Sequence, residues 1–246
     1  MNKLEMANIL ALVVTLIALI LSIWQLLQAR DQTNKLHEIH NSLSTRYIAP
    51  FPEYMSEVIK RIEQARTDVQ IMVEFPAHCC FTDRESWLKY NYVIQQKREK
   101  GVLFDLTCPI ESRRRAYSYE ELSIVDGIWK EWKKKPKYRE RLMKILPAGS
   151  NIDSLSIDDL VDTLENYDKK VLKDVFAGAD VKELDRFMPL YFWIVDGEVA
   201  IFAFSVFGEE TKGYGFFTSD QRFIKALIDI KSRYRSQKQL AMPQDA

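Results

Sequence analysis

Histidine and cysteine are both scarce in this chain, with three of each in 246 residues. His37 and His40 lie three apart, but a two-histidine metal site needs further ligands and none is evident beside them. Cys79, Cys80 and Cys108 are odd in number and two are adjacent, which makes a poor disulfide framework. Free thiols in a reducing compartment are the simpler reading. Net charge is also missing, with Lys+Arg at 35 and Asp+Glu at 35. A polyanion-binding protein is usually basic overall, so the whole-chain balance gives no support for one. There is no internal repeat and no low-complexity run. A hydrophobic content of 47% excludes a disordered chain.

Charge disappears locally as well. From Ala7 to Leu27 the run "ANILALVVTLIALILSIWQLL" carries none. At about 1.5 Å per residue it spans roughly 31 Å as a helix, close to a bilayer core. Trp24 sits near one end, where an amphipathic ring favours the headgroup level. A cleaved signal peptide would have a shorter apolar core and a small-residue cleavage site, and "QLLQARDQ" fits that poorly. Lys3 precedes the run, whereas Arg30, Lys35 and Arg46 follow it. That bias predicts a cytoplasmic soluble domain. The expectation is a single-pass protein of the cell inner membrane: an anchor over 1–28, a helical stalk over 29–46, a domain over 47–236 and a flexible tail over 237–246. Leu36, Ile39 and Leu43 would give the stalk an apolar stripe.

Within the domain, Met55, Val58, Ile59, Ile62 and Ala65 recur at helical spacing after Pro52. "DVQIMVEFP", Asp68 to Pro76, reads as a buried strand. Thr82 and Glu85 fit a capping box for a helix running to Lys100, with Gly101 just past its end. "VLFDLTCP" is a second strand, and the order suggests a crossover between parallel strands. The stretch from Glu111 to Asp180 reads as helical and highly charged. Then "MPLYFWIVDGEVAIFAFS" gives two apolar strands about the Asp196-Gly197 turn. "GYGFFTSD" adds a strand edge, and Thr218 with Gln221 would cap a last helix facing the core through Phe223, Leu227, Ile230 and Tyr234. The fold class is α/β (or α+β) with a mixed central sheet.

This order resembles one half-unit of the phospholipase D superfamily, with Ile194-Val195-Asp196-Gly197 as the sharpest match. The resemblance implies a strand–turn–strand carrying an H-x-K-x-x-x-x-D signature. Anchored on Asp196, Pro189 falls at the family's His position and Tyr191 at its Lys position. Ala203 and Phe204 fall where the family has Gly-Ser, and Val206 where it has Asn. In the family the His attacks phosphorus and a second His protonates the leaving group. The Lys neutralises charge developing on the phosphoryl oxygens. Proline has no nucleophile, and tyrosine carries no fixed charge. The resemblance therefore implies a unit that binds, senses or scaffolds without catalysis. Such half-units commonly pair, which makes a homodimer the expected partner state.

Two further sets of residues carry possible chemistry. His78, Cys79 and Cys80 follow the first strand, at the end where α/β sites gather, and Cys108 ends the second. A thiolate paired with His78, or a Cys-His metal site, is conceivable there, although the spacing matches no zinc motif. Structural packing of small, apolar cysteines is the plainer reading. The weak catalytic candidates are thus His78, Cys79, Tyr191 and Asp196, and an active but divergent phosphodiesterase or nuclease stands as the alternative. No cofactor or metal is implied. The second set is basic. Lys130 to Lys144 has eight basic residues against two acidic ones, and Arg113, Arg114 and Arg115 stand upstream. Lys133, Lys134, Lys135 and Lys137 are expected on an exposed face that meets anionic lipid or nucleic acid. Asp153 to Asp185 carries ten acidic residues against four lysines, so the two runs can instead pair with each other.

Overall fold

The structure, a computed structural model, describes residues 44–80, 82–124, 134–146, 149–186, 188, 190–204 and 213–236. The chain divides into two units, Met1–Ser44 and Thr45–Ala246, and every described helix and strand belongs to the second. The apolar run Ala7–Leu27, the histidines His37 and His40, and the 237–246 tail lie outside the described residues. Among the described residues, no helix is long and apolar enough to cross a membrane.

Seven strands form one mixed sheet in the order β1-β7-β6-β5-β2-β3-β4. β1 (Thr45–Pro50) opens the domain, and α1 (Met55–Gln64) follows. β2 (Asp68–Met72) connects through α2 (Arg84–Glu99) to β3 (Leu103–Pro109), its parallel neighbour. Next come α3 (Glu111–Ile124), α4 (Pro136–Ile145) and α5 (Ile157–Lys170), the last running into a π turn at Val171–Val175. β4 (Asp180–Leu184) then joins β3 in parallel at the sheet edge. β5 (Leu190–Val195) and β6 (Val199–Phe204) form the expected hairpin, β7 (Tyr214–Thr218) pairs with β6, and α6 (Gln221–Ser236) closes the chain.

Apolar alternation distributes the core over both faces of the sheet. Val69, Ile71, Leu106, Trp193 and Ile201 pack beneath Val58, Ile62, Val93 and Ile94 of α1 and α2. Met72, Phe192, Ile194 and Phe202 meet Ile224 and Leu227 of α6 on the other face. Gly215 has a local reason. A Cβ there would lie 2.5 Å from the Tyr54 ring, so glycine is what lets that ring lie against the sheet.

Several sequence expectations shift. The stalk helix was expected to run through Arg46, but Thr45-Arg46-Tyr47 pair antiparallel with Thr218-Phe217-Phe216. The strand reading of Asp68–Pro76 shortens to Met72. Asp83, not Thr82, caps α2, accepting from the Ser86 amide at 3.1 Å. Asp220, not Thr218, caps α6 through the amides of Arg222 and Phe223. Thr218 instead accepts from the Asp220 amide. β4 replaces the end of the stretch expected to be helical. β7 is an interior strand rather than an edge, because β1 covers it.

Candidate functional site

The carboxyl ends of β2, β3 and β4 and the start of β5 converge on one edge of the sheet. The loop Val73–Cys80, leaving β2, supplies its centre. Glu74 is buried there and accepts a hydrogen bond from the Tyr191 hydroxyl at the start of β5. His78 lies among aromatic rings, with centroids at 5.2 Å to Phe51, 5.4 Å to Trp193 and 5.9 Å to Tyr191. Its Nε2 is 3.3 Å from the Tyr54 hydroxyl. Trp193 donates to the Tyr90 hydroxyl at 3.0 Å, which fixes one wall of this aromatic box. Burial lowers the His78 pKa to about 4, so the imidazole is neutral near pH 7. Burial, with a smaller contribution from Cys79, raises the Tyr54 phenol and keeps it protonated.

The same loop meets a second buried group. The Ala77 amide donates to Asp168 of α5 at 2.8 Å. Arg114 of α3 reaches Asp168 through Nε at 3.3 Å and Glu183 of β4 through Nη1 at 2.7 Å. Its Nη1 also donates to the Pro109 carbonyl, and Cys108 Sγ lies 3.7 Å away. Burial raises the Asp168 pKa to about 7, against the opposing pull of the Ala77 amide and Arg114. For Arg114, burial pushes the guanidinium down. Hydrogen bonding to Glu183 and the charge of Asp168 reverse that and leave it above its ordinary value.

These positions decide what the edge can do. The side chain set against Tyr191 is that of buried Glu74, and the buried guanidinium is already matched by two acids. Among the described residues, the groups that converge here are two phenols, a neutral imidazole and a buried acid. The thiols are no better placed as nucleophiles. Cys79 is buried, and burial followed by Cys80 and Asp83 raises its pKa well above the ordinary thiol value. Burial pushes Cys108 up to about 12 despite Arg114. Among the described residues, no cluster of His, Cys, Asp or Glu could hold a metal ion.

Asp196 lies at the opposite end of β5. It has a positive φ of 53°, and its carboxylate accepts from the amides of Arg66, Thr67 and Asp68 and from the Thr67 hydroxyl. It ties the hairpin turn to the start of β2. Pro189 is outside the described residues.

The basic candidates are dispersed. Arg113 pairs with Asp185, Arg114 is buried as described, and Arg115 reaches Asp162 and Glu165, both at 2.6 Å. All three arginines therefore engage the acidic stretch Asp153–Asp185. Arg139 pairs with Asp153 in the same way. Lys134 and Lys135 are exposed ahead of α4, which Pro136 opens at its first turn. Lys133 and the side chain of Lys137 are outside the described residues.

Glu74, Tyr54 and Asp168 escaped the sequence reading. A signal was present for Glu74, the one acid within "QIMVEFP". An acid inside an apolar run must find a partner once buried.

No protein-family model matches the chain, and no curated protein matches it. Solved structures do show likeness. TrmBL2, an archaeal chromatin protein with a novel mode of DNA binding, aligns at 11% identity and a TM-score of 0.41 over 86% of this chain. The chain spans 62% of TrmBL2, less than two thirds of its length. NucT from Helicobacter pylori aligns at 11% identity and a TM-score of 0.40, over 77% of this chain and 94% of NucT. Nuc from Salmonella typhimurium, a phospholipase D family member, aligns at 10% identity and 0.40, over 78% of this chain and 93% of Nuc. The fold itself is α/β, with a mixed seven-stranded sheet.

Proposed function

We propose that this is a membrane-anchored, phospholipase D-like protein whose cytoplasmic domain binds or scaffolds and does not hydrolyse phosphodiesters. The observation that carries the reading is the pairing of Tyr191 with buried Glu74. At the position where the resemblance calls for a lysine, the chain supplies a neutral donor, and that donor is committed to a buried acid. Such a pair holds the end of β5 against the loop after β2 and offers an incoming phosphate no positive charge. The neutral His78 adds none.

The test uses the full chain purified in detergent. Hydrolysis of bis(p-nitrophenyl) phosphate, phosphatidylcholine and single-stranded DNA should stay at the level of a mock purification. Turnover that disappears in Tyr191→Phe, Glu74→Gln or His78→Ala would establish an active site here and overturn the proposal. The anchor has its own test. The chain should remain with membranes after alkaline carbonate extraction, and a reporter fused after Ala246 should behave as cytoplasmic.

A further inference from the structure

Among the described residues, one face of the sheet is left partly uncovered. α6 packs against β4 and β6, so β7 and β1 extend beyond it on that side. The uncovered strands carry aromatic rings. Tyr47, Phe204 and Tyr214 are 46%, 46% and 44% exposed. They form one continuous array, with Tyr47 at 6.3 Å from Tyr214 and 5.8 Å from Phe216, and Phe204 at 6.3 Å from Phe216. Phe216 stacks on Phe202 at 5.3 Å, which joins the array to the core under α6. At one end Thr45 and Thr218 close it with a hydroxyl pair at 2.7 Å. The strand residues of this array are aromatic or threonine, with no charged side chain among them.

We infer that this aromatic face docks on the bilayer interface, an inference that rests on the membrane-anchored reading above. The placement of the chain argues for this occupant. β1 is the first strand after the segment outside the described residues, and the uncharged run in that segment ends at Leu27. Tyr47 follows 20 residues later, a reach of at most roughly 70 Å extended or about 30 Å as a helix. A tether of that length holds the face at a high effective concentration beside the lipid surface. The chemistry of the face fits the same surface. Tyrosine favours the headgroup level, where its ring is apolar and its hydroxyl stays wet. Phenylalanine favours the boundary with the acyl chains.

The experiment places a fluorescent NBD label at Phe204→Cys in the full chain reconstituted in vesicles. A second label at Lys60→Cys, an exposed position of α1, serves as the control. The three native cysteines are buried and outside easy reach of the label. A nitroxide lipid with its spin at headgroup depth should quench the label at position 204 about twofold and the control little, as expected for a face seated in the interface. Tyr47→Ser combined with Tyr214→Ser should remove the difference while the circular dichroism spectrum stays unchanged. Equal, weak quenching at both sites in carbonate-resistant vesicles would overturn this inference alone. Loss of the chain from the vesicles on carbonate extraction would overturn the anchor, and this inference with it. A shift in emission that follows the protein-to-lipid ratio, not the quencher, would assign the face to a second copy of the chain and reject lipid.

Discussion

The two ends of β5 solve one problem, a carboxylate at the rim of a sheet, in opposite ways. At the turn, Asp196 is partly exposed and receives three backbone amides and a hydroxyl. Its burial alone would raise its pKa, but the amides of Thr67, Asp68 and Arg66 outweigh that and hold it below the ordinary value. At the start of the strand, Glu74 is buried and takes the Tyr191 phenol. One carboxylate is settled by the backbone, which any sequence supplies. The other accepts from a side chain far away in sequence. The contacts of Asp196 give it a structural task, tying the hairpin turn to the start of β2.

The largest expected effect comes from breaking the turn end. Asp196→Ala leaves three amides without their acceptor and should cost about 3 kcal/mol, since hydrogen bonds to charged groups exceed neutral ones. For a domain of this size that lowers the melting temperature by roughly 6–12 °C. Because the Asp196 pKa is depressed, its contribution is present above the unfolded value and is lost as pH falls through the folded one. Thermal unfolding of the full chain in detergent would measure both. A cost below about 1 kcal/mol would dissolve the contrast between the two ends.

At the other end, Tyr191→Phe removes the hydroxyl that Glu74 accepts from and should cost about 2 kcal/mol. Glu74→Gln keeps an acceptor and should cost less. Together the two changes should cost clearly less than their sum, because each removes the same bond. A double-mutant cycle that proved additive would show that the pair contributes nothing of its own.

How much of this was legible depended on whether the controlling partner was near in sequence. The β5–β6 hairpin could be read because Asp196-Gly197 and the flanking apolar strands are local. The α2 start was placed within one residue, since Thr82 and Asp83 are both competent caps and only geometry separates them. β4 was not legible. As an edge strand it shows "DVKEL", mostly exposed, with no apolar alternation to distinguish it from the charged helices before it. β1 was missed because "TRY" continues a stretch without Gly or Pro and is fixed as a strand only by pairing with Thr218, Phe217 and Phe216. Of the candidate site, His78 was legible as a residue but not as a ring boxed by Phe51, Trp193 and Tyr191. Arg114 sits between two other arginines, and nothing local marks it as the buried one. Its partner Glu183 is 69 residues away.

The smallest expected effect sharpens the comparison by adding a third carboxylate. Asp168 is buried like Glu74, yet it faces a backbone amide, as Asp196 does, and a guanidinium. Here burial wins, and the folded pKa stands raised at about 7 against an ordinary value near 3.8. The unfolded chain therefore releases the proton first. The stabilisation this group gives is full below about pH 4 and disappears as pH rises through about 7. Asp168→Asn lacks that titration but keeps an acceptor for Ala77. The melting temperature of the natural chain minus that of the variant should thus shrink between pH 5 and pH 7.5 by a few degrees. Glu165 and Glu183 act in the same direction by repelling the ionised form. Arg114 acts in the opposite one, so the sign of the measured slope is decisive. A difference that grew with pH would mean that Arg114 holds Asp168 ionised. The ion pair, not burial, would then govern the loop after β2.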